Sequence, residues 1–195
     1  MDIPLFDGNY TQHSIVDIMS NIGLNHYTFL GKFLDVGCGK NALLVNFLRC
    51  RGIFADGVDD ELVVEEPYLM KTDACSIQRP DDYYDFAASH ITHFKDGMYY
   101  FRKNVTKLVG EKRFNAVYAE SRAIMLGTIY EVARKLKHGA KFVIYPDPGY
   151  LMEEAKFEIL EKGLRIGSEC IDSELSATFR GFIDECCARA VLTKI

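Results

Sequence analysis

A glycine turn preceded by an acidic residue carries the clearest chemistry in this sequence of 195 residues. Residues 35–41 read Asp-Val-Gly-Cys-Gly-Lys-Asn. Glycines let the backbone approach a ligand closely, and free amides at the start of a helix favour a carboxylate or phosphate. Asp59 follows Gly39 by about 20 residues, which places it to accept both hydroxyls of a ribose. The spacing therefore predicts a site for a nucleoside ligand.

Two cofactor classes fit this arrangement, and Asp35 distinguishes them. Residues 37–42, Gly-Cys-Gly-Lys-Asn-Ala, also satisfy the dinucleotide fingerprint in its form ending in alanine. A carboxylate at the end of the strand would repel a pyrophosphate, whereas it would attract a ligand that carries an ammonium and a sulfonium. Asp35 therefore favours S-adenosylmethionine over NAD(P).

Alternating strands and helices must position these residues. Residues 32–37 form an apolar run that ends in glycine and predicts a buried strand, and Asn41 to Arg51 has helical spacing. Further strands are predicted at Ile53 to Val58 and, more briefly, at Tyr68 to Thr72. This order predicts an α/β fold with a doubly wound, Rossmann-like and mostly parallel sheet.

The second half of the chain leaves one strand open. Tyr84 to His90 is the first choice for the fourth strand, and Arg113 to Ala119 is the alternative, which would place Glu120 beside the cofactor. Residues 114–119 also fit the start of a longer helix. The remaining helices are predicted at 98–109, 121–137 (ending at Gly139) and 153–162, and the remaining strands at 140–145, 164–171 and 188–195.

Five short motifs, in this order and spacing, resemble those of the class I S-adenosylmethionine-dependent methyltransferases. They are residues 33–39 (the first motif), 57–59 (the acidic end of the second strand), 71–74 (the adenine turn), 80–90 (the fourth strand) and 135–144 (the passage into the fifth). The resemblance implies a single methyltransferase-like domain over 1–195, with an N-terminal arm at 1–31 and an insertion or lid at about 95–120. It also implies cofactor contacts by Asp35, Gly37, Cys38, Gly39, Asn41, Asp59, Asp73, Ala74 and Ser89.

The sequence departs from the family pattern at two places. Asn41 stands where a third glycine is usual, and His138-Gly139-Ala140 stands where Pro-Gly-Gly is common. Asparagine tolerates the left-handed conformation, so Asn41 need not destroy the turn. The departures leave open a cofactor-binding pseudoenzyme that acts as a partner or regulatory subunit. An NAD(P)-binding oxidoreductase is the other alternative.

His90 is the candidate catalytic residue, as a general base toward a hydroxyl or amine. His93 lies three residues further on, but no third ligand is spaced to complete a metal centre, so no metal is expected. Residues 147–150, Asp-Pro-Gly-Tyr, and residues 10–14 resemble segments of amino-group DNA methyltransferases. A turn after a strand is the simpler interpretation of the first.

Composition limits the class of protein and its partners. Lys and Arg number 23 against 28 Asp and Glu, a formal net charge of −5, which argues against an extensive nucleic-acid surface. The six cysteines form no Cys-x-x-Cys pair, the N-terminus lacks a secretory pattern, and no apolar run reaches about 20 residues. We therefore expect a cytoplasmic protein without a membrane span, whose methyl acceptor and oligomeric state the sequence leaves unidentified.

Overall fold

Seven strands and four helices make up the part of the chain that the structure, a computed structural model, describes: residues 15–24, 31–64, 66–90, 111–145, 155–170 and 188–195. The strands are β1 (Lys32–Val36), β2 (Phe54–Val58), β3 (Leu69–Met70), β4 (Tyr84–His90), β5 (Leu136–Tyr145), β6 (Leu164–Cys170) and β7 (Ala188–Lys194). The helices are α1 (Ile15–Ile22), α2 (Leu43–Cys50), α3 (Glu111–Lys135) and α4 (Lys156–Glu161).

All seven strands belong to one sheet, in the order β3-β2-β1-β4-β5-β7-β6. The pairs from β3 through β5 are parallel, whereas β7 runs antiparallel to both β5 and β6. The sheet is therefore mixed, because β7 is inserted in the reverse direction. The carboxyl ends of β1, β2, β4 and β5 meet at one edge, which is where open α/β sheets bind ligands.

Helices cover both faces of the sheet. Side chains of β1 alternate between the faces, so that Phe33 packs with the residues of α1 and α2, while Leu34 packs with those of α3 and α4. Both residues are fully buried. Burial on two sides explains why the strands of the sheet interior read as continuous apolar runs.

The fourth strand is Tyr84–His90, as the first choice predicted, and the alternative at Arg113 to Ala119 is wrong. β4 pairs with β1 on one side and β5 on the other, whereas residues 113–119 lie in α3. Val117 and Tyr118 follow Phe114 by three and four residues. This spacing fits one face of a helix as well as the short apolar segment fits a strand.

Helix α3 also differs from its prediction at both ends. It begins at Glu111 rather than at residue 121, and it ends at Lys135 rather than near Gly139, because Leu136 already pairs with Tyr84 in the sheet. Residues 111–120 of the predicted insertion therefore form the first turns of α3. The helix predicted at 98–109 lies outside the described residues. None of the helices in the described ranges combines the length and apolarity that crossing a bilayer requires.

A buried carboxylate ties β2 to β4. Asp56 is 1% exposed and accepts hydrogen bonds from Tyr84 Oη at 2.8 Å and from Arg79 Nε at 2.7 Å. Burial and the charge of Asp56 raise the pKa of the Tyr84 hydroxyl, so it stays protonated and donates. The network satisfies a charge that would otherwise be costly in the core.

Tyr84→Phe is expected to lower the free energy of unfolding by about 1.5–3 kcal/mol, since a hydrogen bond to a buried charge is lost. Denaturant unfolding measures the loss. Tyr83→Phe is the matched control, because the Tyr83 ring lies under Lys32 Nζ at 3.8 Å and that contact needs no hydroxyl. An equal loss in the two variants would show that the Asp56 network contributes nothing specific.

Candidate functional site

The glycine turn joins the end of β1 to α2. Gly37 and Gly39 both have a φ of 72°, a left-handed conformation that glycine adopts without steric cost. The amides of Gly37 and Cys38 both donate to the carbonyl of Val58, at 2.8 and 3.2 Å, so the turn lies against the end of β2. The two glycines thus shape a backbone turn at the carboxyl edge of the parallel strands.

The left-handed residue at the start of α2 is Ala42 rather than Asn41. Ala42 has φ 47° and ψ 46° and is fully buried, and its side chain provides no helix cap. This conformation costs a residue with a Cβ roughly 1–2 kcal/mol. Asn41 is half-buried, and its carbonyl accepts a hydrogen bond from Asn46 Nδ2 at 3.1 Å. The turn therefore forms with asparagine at position 41, and the left-handed conformation falls on Ala42.

Asp59 anchors the turn from the end of β2. One of its carboxylate oxygens accepts the amide of Gly39 at 2.9 Å, and the other accepts the amide of Glu61 at 2.8 Å. Each oxygen keeps further lone-pair capacity, because a carboxylate can accept about four hydrogen bonds. Asp59 thus fixes the position of Gly39 and retains acceptors at the same edge. This anchoring role was not predicted from the sequence.

Asp35 is a nearly buried carboxylate beneath the turn. Its exposed fraction is 4%, and burial, together with the charge of Asp59, raises its pKa from 3.8 to about 7. The described residues donate no hydrogen bond to this carboxylate and place no cation within ion-pair distance. Buried carboxylates are normally paired. Among the described residues, Asp35 therefore has no cationic partner.

Cys38 lies in the same neighbourhood as both acids. Burial and the charges of Asp35 and Asp59 raise the pKa of its thiol, so the thiolate is disfavoured. Gly57 of β2 makes room for it, since a Cβ at that position would lie 2.7 Å from Cys38 Sγ. A glycine in the middle of a strand is the sequence signal for such a close approach. Cys38 therefore serves as a packing residue of the turn.

The predicted adenine turn follows β3 at the same edge. The amide of Asp59 donates to the carbonyl of Met70 at 3.1 Å, which connects the ends of β2 and β3. Asp73 is exposed, and its Oδ1 accepts the amide of Cys75 at 2.7 Å, an arrangement that fixes the turn. Ala74 is half-buried. Asp73 thus has one oxygen committed to its own turn.

Ser89 and His90 occupy the carboxyl end of β4, opposite Ile144 and Tyr145 of β5. Ser89 is fully buried, and His90 is half-buried. The His90 ring stacks on Tyr145 with centroids 5.4 Å apart, and its Nε2 lies 3.4 Å from Asn21 Nδ2 of α1. The predicted catalytic histidine therefore lies at the same sheet edge as the glycine turn. Asn21 and Tyr145 were not predicted as site residues.

Several predicted features lie outside the described residues: His93, residues 10–14 and residues 147–150. Within the described ranges, no three His, Cys, Asp or Glu residues are grouped to hold a metal ion. The described part of the site consists of the turn, the acids at the ends of β1 and β2, the loop after β3 and the end of β4.

No protein-family model matches the sequence. No curated protein matches it significantly. Solved structures with the same fold do match. A chain of the complex between the Trm112 methyltransferase activator of Haloferax volcanii and a methyltransferase is 16% identical, with a TM-score of 0.50 and coverage of 84% of this chain and 82% of that one.

Two further structures are equally similar. One, described as an S-adenosylmethionine-dependent methyltransferase from Listeria monocytogenes, is 10% identical with a TM-score of 0.51, and the alignment covers 94% of this chain and 97% of that one. The [4+2]-cyclase SpnF is 15% identical with a TM-score of 0.51 and coverage of 92% and 80%. A cyclase in this group illustrates that a fold does not determine a reaction.

The strand order of the sheet, the glycine turn and the similar solved structures together define the fold class. The chain has the fold of the class I S-adenosylmethionine-dependent methyltransferases, as its sequence motifs predicted. At these identities the likeness concerns the fold. What this particular protein binds and catalyses depends on its own residues.

Proposed function

We propose that this chain is an S-adenosylmethionine-dependent methyltransferase that transfers a methyl group to an acceptor not yet identified. The observation that carries the proposal is Asp35, a carboxylate 4% exposed for which the described residues supply no cation, beneath a left-handed glycine turn. The methionine part of the cofactor brings an ammonium, which is the missing partner for such a carboxylate. A neutral or anionic ligand would leave the Asp35 charge buried and unpaired.

The charge at the turn argues against a dinucleotide. Asp35 and Asp59 are close enough for the charge of Asp59 to raise the pKa of Asp35. Like charges repel, and the repulsion is stronger at a buried site than in bulk water. A pyrophosphate would add negative charge to this pair, whereas an ammonium and a sulfonium would offset it. Asp35 therefore disfavours NAD(P) and favours a cationic nucleoside, whereas Asp59 suits the ribose of either cofactor.

The residues at the sheet edge fit the remaining parts of the cofactor. In this proposal Asp59 accepts the ribose hydroxyls with its uncommitted lone pairs, while Gly37, Cys38, Gly39 and Asn41 provide the turn along which the ligand lies. The loop carrying Asp73 and Ala74 borders the adenine, and Ser89 with His90 borders the reacting end. These assignments come from the family resemblance and from the common edge on which the residues lie.

S-adenosylmethionine supplies an electrophilic methyl group on sulfur, and the chain supplies binding, orientation and exclusion of water. A nucleophile displaces the sulfonium in line, so the principal requirement is alignment of acceptor and donor. Burial of Asp35 and Ser89 at the edge of the sheet keeps this part of the site poorly solvated. Such a reaction can proceed without a strong general base.

Ligand-induced stabilisation tests the cofactor. S-adenosylhomocysteine at about 100 times its Kd should stabilise the protein by about 2.7 kcal/mol, which raises the Tm of a chain of this size by about 5–10 °C. NAD and NADP at equal concentration should give no rise. A rise with the nicotinamides alone would overturn the proposal in favour of an oxidoreductase.

Turnover separates an enzyme from a pseudoenzyme. Two observations support the alternative of a cofactor-binding pseudoenzyme that acts as a partner subunit. They are Asn41 in place of a third glycine and the left-handed conformation of Ala42. Radiolabelled S-adenosylmethionine incubated with cell extract should yield labelled acceptor and S-adenosylhomocysteine. Tight binding with no transfer to protein, nucleic-acid or small-molecule fractions would favour the partner subunit.

The pH dependence of cofactor binding follows from the pKa of Asp35. With a pKa of about 7, Asp35 is mostly ionised at pH 7.5 and only about one-tenth ionised at pH 6. Pairing with the ligand ammonium requires the ionised form, so the Kd should be about tenfold weaker at pH 6 than at pH 7.5. Calorimetry at pH 6 in two buffers should also show proton release to the buffer. A constant Kd over this range would contradict the role of Asp35.

A further inference from the structure

One asparagine of α2 holds the peptide groups on both sides of the left-handed Ala42. The backbone amide of Asn46 donates to the carbonyl of Ala42 at 3.0 Å, and its side-chain Nδ2 donates to the carbonyl of Asn41 at 3.1 Å. The peptide plane before a residue sets its φ, and the plane after it sets its ψ. Asn46 therefore restrains Ala42 at both backbone dihedral angles.

The chemistry of its two partners fixes the orientation of the Asn46 side-chain amide. The carbonyl oxygen of Asn41 can only accept, so the amide nitrogen must face it. Oδ1 of Asn46 then accepts a hydrogen bond from the hydroxyl of Tyr68 at 3.2 Å. With the amide reversed, two oxygens would face each other and the Tyr68 hydroxyl would lose its acceptor.

Tyr68 is itself held in place from β2 and from α2. Its carbonyl accepts the amide of Gly57 at 2.9 Å, and its ring lies 3.9 Å from the guanidinium carbon of Arg49. Arg49 in turn donates to the carbonyl of Ala55 at 2.6 Å. A chain of contacts thus connects the sheet, through Tyr68 and Asn46, to the turn.

Ala42 is the residue of the turn that most needs such a restraint. A left-handed conformation is unfavourable for alanine, so a turn released from its contacts would tend to leave it. The amide of Ala42 donates to the carbonyl of Gly39 at 3.1 Å, but that bond lies within the turn and moves with it. The side chain of Asn46 ties the same peptide group to the rest of α2.

We infer that Asn46, oriented by Tyr68, is a positioning residue that holds the glycine turn in its ligand-binding shape by fixing Ala42. The inference rests on the proposed function, in which the cofactor lies along this turn. A turn that is ordered beforehand loses little conformational freedom when the ligand binds, which favours affinity. Hydrogen bonds from Asn46 here replace the conformational freedom that a third glycine would provide.

Backbone ¹⁵N relaxation on the ligand-free protein tests the restraint directly. The amides of residues 38–44 should have order parameters of about 0.85 in wild type and of about 0.6 or less in Asn46→Ala. Alanine favours a helix more than asparagine does, so α2 should remain formed. Cys50→Ala changes an exposed residue one turn further along the same face of α2 and should leave the order parameters unchanged.

Low order parameters in the wild-type turn would overturn the inference, and so would an unchanged turn in Asn46→Ala. If Asn46→Ala does not fold, Tyr68→Phe replaces it in the same experiment, since it leaves Asn46 without its orienting donor. The relaxation measurement needs no ligand. A protein that fails to bind S-adenosylhomocysteine would therefore refute the proposed function while the order parameters still decide the restraint on Ala42.

Calorimetry with S-adenosylhomocysteine supplies the second readout. Asn46→Ala should raise the Kd about tenfold, and Tyr68→Phe, which keeps the ring beside Arg49, about threefold. The double variant should bind no more weakly than Asn46→Ala alone, because Tyr68 acts through Asn46. Losses that multiply in the double variant would contradict this chain of contacts.

Asn46→Asp tests the donor atom itself. Aspartate keeps the size of the side chain and an acceptor for Tyr68, but it directs an oxygen at the carbonyl of Asn41. The Kd should rise about tenfold at pH 7.5, although a negative charge in the first turn of a helix is otherwise favourable. Wild-type affinity in Asn46→Asp would show that the donor is not required and would overturn the inference.

Discussion

Asp35→Asn is expected to bind S-adenosylmethionine about 30- to 1000-fold more weakly than wild type at pH 7.5. The variant keeps the shape of the side chain but loses the charge that, in the proposed function, faces the ligand ammonium. Removing one partner of a buried charge pair costs about 2–4 kcal/mol of binding free energy, which corresponds to this range. Isothermal titration calorimetry measures the Kd directly.

Asp60→Asn is the control for this substitution, because Asp60 is exposed and next to the site. It should leave the Kd within about twofold of wild type. An Asp35→Asn protein that is folded and binds the cofactor as tightly as Asp60→Asn would remove the observation on which the proposed function rests.

Asp35→Asn should be more stable than wild type when no ligand is present. The folded-state pKa of Asp35, about 7, lies above the value of 3.8 for an unfolded chain. The folded state therefore binds more protons between these values, and its stability falls as pH rises from about 4 to 7. This pKa shift corresponds to a loss of at most about 4 kcal/mol of unfolding free energy above pH 7, and the uncharged asparagine avoids that loss. Denaturant unfolding at pH 8 should therefore show that Asp35→Asn is more stable than wild type. At pH 4 this difference in stability should vanish.

The first half of the fold was predictable because its signals are local. The glycine turn at 37–39 follows a short apolar strand and precedes a helix with clear periodicity, and the structure places all three within two residues of their predicted limits. The fourth strand was harder, since residues 84–90 and 113–119 are both short and moderately apolar. Pairing of β4 with β1 and β5 decides between them, and such pairing is not encoded in either segment alone.

The positions of the candidate site residues in the fold were predictable to the same extent. Strand ends indicated where Asp35, Asp59 and His90 lie, because carboxyl ends of parallel strands share one edge. The contact between Asn21 and His90 joins residues 69 positions apart, and no spacing rule reaches that far. Likewise the left-handed Ala42 could not be foreseen, since alanine carries no signal for that conformation.

Asp59→Ala is expected to weaken S-adenosylhomocysteine binding by about 100- to 1000-fold. The carboxylate serves the turn and the ligand together, because it accepts the amides of Gly39 and Glu61 and, in the proposed function, the ribose hydroxyls. Loss of two charged hydrogen bonds to ligand costs about 3–4 kcal/mol. Without the Gly39 contact the turn is also less ordered before binding, which adds to the loss. Calorimetry gives the Kd of the variant.

Two further variants separate the contributions. Asp59→Asn keeps one acceptor oxygen and should fall between wild type and alanine, while the exposed Asp60→Ala should bind normally. If loop anchoring were the only role of Asp59, adenosine would lose little affinity in Asp59→Ala, because it lacks the methionine part that lies along the turn. If the ribose contact dominates, adenosine and S-adenosylhomocysteine should weaken by the same factor. Normal binding of both ligands to Asp59→Ala would show that Asp59 belongs to the fold and not to the site.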